Sequence, residues 1–372
     1  MAERLSWASD DPEAVLARLA EAVLAGEVVA LPTETVYGLG ANVLDAAAVE
    51  RLAHAKGRPE DKPMTLAVGD ADRVLSWGLG QSLVGQRLAR RGWPGPLTLV
   101  FPLDEAHSPL PAGEDKVRKW VCPQGWLGVR IPDHEAVLRL LDRLPGPLVL
   151  TSANRSGEPD AITADQVVAA VGDRVPLVLD DGPTHYGRPS SVVRVEADRW
   201  QLLREGVVSA TDLERWSARW IVFICTGNTC RSPMAEAFCK KLLAERLGCQ
   251  PEELPRHGFY VRSAGMAAMM GERASPEAVE VAGAFGADLS RHLSQPLLPE
   301  LAAGADVLIA LARSHLTLLD ARYPDLAGQA RLLDPTGGDV PDPIGEELPV
   351  YRECAEHIYR CVEGLVAELV PS

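Results

Sequence analysis

Short apolar runs alternate with amphipathic stretches along most of this chain. Glu27-Val28-Val29-Ala30-Leu31, Met64-Thr65-Leu66-Ala67-Val68, Leu97-Thr98-Leu99-Val100-Phe101, Leu148-Val149-Leu150 and Ser191-Val192-Val193 read as strands. Between them, segments 11–25, 45–55 and 134–143 carry apolar residues at helical spacing, and Pro12 suits a first helical turn. Residues 211–219 read as a short polar helix capped by Thr211 or Asp212. Trp220-Ile221-Val222-Phe223-Ile224 then has the look of a buried strand and restarts the alternation. Further strands are expected near 259–263 and 306–311, with helices near 233–247, 275–285 and 349–368. This is an α/β pattern, and in its second part that of a doubly wound parallel sheet. The expected division is residues 1–210, a linker at 211–219, and 220–372. No internal repeat or low-complexity tract interrupts it.

Composition narrows the class. The 372 residues suit two or three domains at about 150 residues each. Hydrophobic residues at 47% and charged residues at 24% are those of a soluble globular protein, which excludes disorder and collagen-like structure. The run Ala305-Asp306-Val307-Leu308-Ile309-Ala310-Leu311 is typical of the longest apolar ones, far short of the roughly 18 residues of a membrane span. Met1 to Trp7 shows no signal-peptide core, so the seven cysteines are expected to be cytoplasmic thiols rather than a disulfide framework. The net charge of −15 divides into −7 over residues 1–219 (24 basic, 31 acidic) and −8 over 220–372 (13 basic, 21 acidic). Neither part is a basic nucleic-acid-binding module.

The sharpest local signal is Cys225-Thr226-Gly227-Asn228-Thr229-Cys230-Arg231-Ser232, set between the strand at 220–224 and a helix opening at Ser232-Pro233. Met234, Phe238, Leu242, Leu243 and Leu247 recur on one face of that helix, and Gly248 can close it. Such a loop aims successive backbone N–H groups at one point and adds the positive end of the helix dipole. A phosphate dianion fits there, with Arg231 forked onto two of its oxygens. The same field is expected to lower the pKa of Cys225 and arm it as a nucleophile.

These residues resemble the signature of the low-molecular-weight protein tyrosine phosphatases. Ser263-Ala264-Gly265 resembles that family's strand-end sequence, and Asp342-Pro343-Ile344-Gly345 its general-acid loop. The resemblance spans about 220–370. It implies a phosphocysteine intermediate, with Asp342 protonating the leaving group and then activating water. It implies that Asn228 braces the loop and that Ser232 stabilises the thiolate. Asp334-Pro335 competes for the acid role but reads as a plain turn. Ile344 stands where tyrosine-directed members carry an aromatic residue, and Thr229 where they carry an aliphatic one. CTGNTCRSPMAEA resembles bacterial protein-arginine phosphatases instead, so both phosphoarginine and phosphotyrosine remain open. Cys230 is either a partner for a reversible disulfide with Cys225, as the family allows, or an inert packed thiol.

In the first part, Pro32-Thr33-Glu34-Thr35-Val36-Tyr37-Gly38-Leu39 breaks a strand with hydroxyls and glycine. Lys56-Gly57-Arg58 follows a helix, Thr151-Ser152-Ala153-Asn154 a strand, and Pro189-Ser190-Ser191 precedes one, with Arg204 at the close. Cations beside hydroxyl and amide donors at strand ends suit a nucleotide triphosphate. Together these segments resemble the YrdC-type threonylcarbamoyl-AMP synthases, along with Trp93-Pro94-Gly95-Pro96-Leu97-Thr98, Val129-Arg130-Ile131-Pro132-Asp133-His134 and Leu203-Arg204-Glu205-Gly206. The resemblance covers roughly 11–208 and implies a twisted open α/β sheet folded around a cleft. It implies that L-threonine, bicarbonate and ATP become threonylcarbamoyl-adenylate and pyrophosphate. Lys56, Arg58, Ser152, Asn154, Ser190 and Arg204 are expected around ATP; Thr33, Tyr37 and Arg130 around threonine and the carbamate. Mg²⁺ is expected only as the partner of ATP, with no protein metal site. Two departures stand out. Thr65-Leu66-Ala67-Val68 lacks a histidine common in the family, and Arg194 replaces a common acidic residue.

The leading expectation is a bifunctional cytoplasmic enzyme acting on a phosphoprotein through one half. The other half would serve tRNA only indirectly, through partner proteins that use its product, with no membrane involved. An alternative keeps the phosphatase and reduces the first part to an inert RNA- or nucleotide-binding module. A third makes the phosphatase part structural, against which stands the complete set of Cys225, Arg231 and Asp342.

Overall fold

In the computed structural model, which describes residues 2–57, 62–113, 115–155 and 157–371, the chain divides into two units, Met1–Trp216 and Ser217–Ser372. The first is built on β1 (Glu3–Ser6), β2 (Val29–Leu31), β3 (Gly38–Asn42), β4 (Thr65–Ala67), β5 (Leu97–Pro102), β6 (Trp126–Arg130), β7 (Leu148–Ser152), β8 (Leu177–Asp180), β9 (Ser191–Glu196) and β10 (Arg199–Arg204). They form one mixed sheet in the order β1-β8-β2-β3-β7-β4-β6-β5-β9-β10. The strands that sequence patterning did not anticipate are the short β1, β3, β6, β8 and β10. Three residues of β3 are small (Gly38, Gly40, Ala41), so its burial comes from neighbours and leaves no local hydrophobic signal.

The helices expected at 11–25, 45–55 and 134–143 form as Pro12–Leu24, Ala46–Lys56 and Glu135–Leu141, whereas Ala71–Ser76, Leu83–Gly92, Asp115–Val121 and Ala164–Val171 were not anticipated. Asp11 accepts from the Ala14 N–H to cap helix Pro12–Leu24, and Asp45 caps Ala46–Lys56. Side chains alternate across the sheet: Val28 and Ala30 join one core layer, Val29 and Leu31 the other. Residues 210–217 form a helix, with Leu213 fully buried in the first core. Its N-terminal cap is the hydroxyl of Ser209, which accepts from the Asp212 N–H at 3.2 Å. Thr211 and Asp212 do not cap it. Arg219 already begins the next strand.

The second unit holds β11 (Arg219–Cys225), β12 (Phe259–Gly265), β13 (Val307–Ala310) and β14 (Ala330–Leu332), all parallel in the order β12-β11-β13-β14. The near-continuous apolar run of β11 follows from burial on both faces. Ile221, Phe223 and Cys225 point to a layer that includes Met234, Phe238 and Ile358; Val222 and Ile224 point to one that includes Leu297 and Leu319. Helix Arg231–Leu247 closes at Gly248 in the left-handed region. Among the described residues no helix is long and apolar enough to cross a membrane.

Candidate active sites

In the first unit, strand ends and loops converge on a cavity of about 240 Å³. Thr33, Tyr37, Arg130, Ser152, Ser190 and Arg204 all line it. Lys56 and Asn154 reach it through Ser152. The Lys56 ammonium donates to Ser152 O, Ser152 Oγ and Asn154 Oδ1 at 2.6, 2.7 and 2.8 Å, and is itself buried. Register explains why Ser152 is there: it ends β7 opposite Gly38 at the start of β3. Arg58 lies outside the described residues.

Ser190 is held by a close approach. A Cβ on Gly206 would fall 2.1 Å from Pro189 O, so only glycine lets these segments touch. Thr98 and Ser190 share a hydrogen bond of 2.9 Å, and Arg204 donates to Ser190 O at 2.8 Å. Burial pushes the Arg204 guanidinium down, with the positive charge of Arg130 adding to it and Asp160 opposing. Arg130 Nη2 sits 2.7 Å from Glu34 Oε1, both side chains buried, yet the atoms are not aligned as a hydrogen bond. That leaves a buried cationic donor at the cavity wall. Tyr37 donates to Gly182 O at 2.8 Å, and burial pushes its hydroxyl up to about 12, so it stays a neutral donor. Thr33 donates to Val36 O at 2.6 Å and shapes its own loop. Sequence reasoning quoted Glu34 and Thr98 inside motifs without giving them roles; Thr98 lines the cavity, as do Asp160, Thr65 and Trp126, while Glu34 stands behind Arg130. Arg194 stacks on Trp126, its guanidinium carbon 3.5 Å from the ring, so the basic departure is spent on an aromatic wall.

In the second unit, β11 delivers Cys225 to the mouth of a loop that leads straight into helix Arg231–Leu247. Sequence reasoning opened that helix at Ser232; the structure includes Arg231. Cys225 Sγ lies 2.9 Å from Ser232 Oγ and accepts from the Asn228 N–H at 3.2 Å. Asn228, fully buried in the left-handed region, donates through Nδ2 to Ser232 Oγ and Ser263 Oγ. Its Oδ1 accepts from the Gln295 N–H, and its carbonyl lies 2.8 Å from His292 Nε2. Gly265 is the other requirement, because a Cβ there would stand 2.5 Å from Thr226 O and 3.0 Å from Asn228 N.

Arg231 pairs with Asp342 and also donates to Val340 O and Thr226 Oγ1. Thr226 Oγ1 meets His315 Nε2 at 3.0 Å. Burial pushes this imidazole down to about 4, helped by the Arg231 charge, so it is neutral near pH 7. Thr229 Oγ1 leans over Gly227, 3.6 Å from where its Cβ would be, and Cys230 packs against Ser275 and Tyr351. Cys225 corrects one expectation. Burial pushes its thiol up, against the pull of Ser232, Asn228 and Arg231. With Arg231 engaged by Asp342, the loop alone does not overcome desolvation. Sequence patterning missed His315, His292 and Glu236, the last accepting from Ser263 at 2.6 Å. Glu236 stands inside the quoted run CTGNTCRSPMAEA without having been given a role, while His315 and His292 stand in no recognisable motif, since each acts by touching a motif residue. Asp334, the competing acid, instead accepts from Thr336 and His357.

Residues 21–206, half of the chain, match the Sua5/YciO/YrdC family described as telomere recombination. Residues 220–371 match the low molecular weight phosphotyrosine protein phosphatase family. The chain belongs to both families. Among its relatives is the threonylcarbamoyl-AMP synthase of Pyrococcus abyssi, 36% identical over 191 residues. That alignment takes in 51% of this chain and 53% of the relative, so the chain spans about half the length of the curated proteins it first matches. A solved Sua5 structure from P. abyssi shares 25% identity and a TM-score of 0.52, over 72% of this chain and 92% of that one. A YwlE mutant from Bacillus subtilis is 32% identical over 41% of this chain and 99% of its own, at a TM-score of 0.37. The Sua5/YrdC unit thus owns the polar cavity and the phosphatase unit the cysteine loop.

Proposed function

We propose that the chain is a bifunctional cytoplasmic enzyme. Its first unit forms threonylcarbamoyl-adenylate from L-threonine, bicarbonate and ATP; its second hydrolyses phosphoprotein through Cys225. For the first activity the supporting observation is the convergence of Lys56, Ser152, Asn154, Ser190 and Arg204 with Thr33, Tyr37 and Arg130 around one cavity. The threonine amine adds to bicarbonate and water leaves, giving a carbamate. A carbamate oxygen then attacks the α-phosphorus of ATP, and pyrophosphate departs. No covalent enzyme intermediate is required, so catalysis is positioning plus neutralisation of phosphate charge. Lys56, Arg204 and Arg58 are assigned to the phosphates, and Arg130, whose Nη2 is ion-paired with Glu34 without an aligned hydrogen bond, to the carboxylate or carbamate. Asp160 is the acidic side chain in the lining, so Mg²⁺ is taken to enter with ATP, held mainly by the phosphates. The adenylate would pass to partner proteins that modify tRNA.

For the second activity the supporting observation is the strand–loop–helix cradle with Cys225, Arg231 and Asp342 together. A phosphoryl dianion entering the loop takes the fork of Arg231, which releases Asp342 toward the leaving group. Cys225 first gives up its thiol proton, which Asp342, released from Arg231, takes up; the thiolate then attacks phosphorus, the bond to the leaving group breaks, and Asp342 gives that proton to the departing atom. Asp342 then takes a proton from the water that hydrolyses the phosphocysteine. We assign phosphoarginine as the preferred substrate. The Thr229 hydroxyl at the loop mouth suits a polar guanidino group, and the exposed Ile344 offers no ring to sandwich a phenol.

The test is a two-substrate assay of the purified chain. Pyrophosphate release should require both threonine and bicarbonate, and phosphoarginine should be hydrolysed faster than phosphotyrosine. ATP binding without threonine-dependent pyrophosphate would leave the first unit a nucleotide-binding module.

A further inference from the structure

A cluster in the second unit lies outside both proposed sites. Asp334, just after β14, and His357 and Cys361, on helix Leu348–Leu369, bring one carboxylate oxygen, one imidazole nitrogen and one sulfur within 4.8 Å of one another. His357 and Cys361 are four residues apart, which puts both on one helix face. They border a cavity of about 820 Å³ that is also lined by Arg331, Thr336 and Glu368. All three residues are only part-buried, so an ion from solvent can reach them.

We propose that Asp334, His357 and Cys361 form a zinc-binding site. The donor set of thiolate, imidazole and carboxylate is the borderline-soft mixture that selects zinc over magnesium or calcium. Bond lengths of about 2.0–2.3 Å in a tetrahedron place ligand atoms roughly 3.3–3.8 Å apart. Cys361 must therefore close on the pair by up to about an ångström while Asp334 and His357 part slightly, which rotamer adjustment supplies. Asp334 and His357 are already aimed at each other, Oδ2 to Nε2 at 2.8 Å. A cation entering there replaces the proton they share, the Cys361 thiol gives up its own to become the third ligand, and both protons leave to solvent.

The supporting shell is present. Asp334 Oδ1 accepts from the Thr336 N–H at 2.8 Å and from Thr336 Oγ1 at 2.7 Å, which fixes the carboxylate and leaves Oδ2 for the ion. Of the two arginines that line the cavity, Arg331 is paired with Glu368 at 2.9 Å and Arg360, whose charge favours the Cys361 thiolate, donates to Glu356 O. Three protein ligands leave a fourth position open toward the cavity. Filling the site would tie residue 334 to the C-terminal helix. The same connecting segment continues to Val340 and Asp342, both of which contact Arg231.

Cobalt titration of the full chain tests this, because tetrahedral cobalt–thiolate gives a charge-transfer band and a strong visible spectrum. The titration uses a Cys225→Ser chain, so that the loop thiol cannot supply the sulfur. One equivalent of Co²⁺ should give the band, and one equivalent of Zn²⁺ should remove it. Cys361→Ser should abolish the charge-transfer band. His357→Gln should weaken cobalt affinity at least tenfold, and Asp334→Asn should weaken it too. Metal-free melting temperatures and far-ultraviolet circular dichroism of each variant show whether it is folded. Zn²⁺ should raise the melting temperature of the Cys225→Ser chain but not that of the Cys361→Ser chain. Absence of a band in the Cys225→Ser chain, or a band unchanged by Cys361→Ser or by His357→Gln, overturns the site.

Discussion

The two units assemble their candidate phosphate-binding groups by opposite means. In the phosphatase unit, eight consecutive residues, Cys225 to Ser232, carry the nucleophile, the loop and the arginine. They are aligned because a buried strand runs directly into a helix. In the Sua5/YrdC unit, residues from Thr33 to Arg204 are drawn to one cavity by a sheet whose order departs widely from chain order. The first design is local and rigid, and its chemistry lies in the backbone and one thiol. The second is assembled, and its chemistry lies in side chains that already bind one another, as Lys56 does with Ser152 and Asn154. A local site is lost when one atom changes. An assembled one should lose function in proportion to the contact removed.

The sharpest way to break that contrast is Cys225→Ser. A hydroxyl is not ionised near neutral pH, so dephosphorylation should fall by about a thousandfold or more. Threonine-dependent pyrophosphate release by the same variant should stay within about twofold of the parent. A large loss there would mean the two sites are not separate. Lys56→Ala should do the reverse with a smaller effect, on the order of a hundredfold in pyrophosphate release, the scale of removing one electrostatic donor. Phosphatase kcat/KM measured alongside should not move.

Thr229→Ile sharpens the comparison within the local site. The loop amides, Cys225 and Arg231 survive, so turnover persists while the ratio of phosphoarginine to phosphotyrosine kcat/KM falls roughly tenfold. An unchanged ratio would make Thr229 a loop filler. The smallest expected effect is at His315. Its folded pKa of about 4 lies below the ordinary 6.5, so between those values the unfolded chain binds more protons. Stability should therefore fall as pH drops from 6.5 toward 4. His315→Gln, which can still meet Thr226 Oγ1, should lessen that fall by about 1–2 kcal/mol, measured as urea midpoints at pH 7 and pH 4.5. Identical pH dependence in both chains would show that His315 titrates normally.

The phosphatase loop was legible because strand, cysteine, arginine and helix are contiguous, and contiguity is what a sequence displays. Helices such as 12–24 and 46–56 were legible for a related reason: apolar period and, at 12–24, a first-turn proline are local properties, whereas the Asp11 and Asp45 caps came from the structure. The helix at 210–217 looked like a bridge because its anchors, Leu213 and the part-buried Trp216, are covered by residues distant in sequence. In the same way β3, with its glycines, is a strand only because β2 and β7 flank it.

From the sequence by itself came the α/β class, the candidate nucleophile with its arginine, and most of the polar residues that gather at the cavity of the first unit. These rest on periodicity and on residue chemistry, which neighbours in the chain suffice to define. Tertiary structure alone decided that Arg231 is held by Asp342, that burial outweighs the loop at Cys225, and that Glu34 stands behind Arg130. It also brought Asp334 to His357 and Cys361. Each of these depends on desolvation or on a charge brought close by folding, and both are set by which distant residues exclude water from the same place.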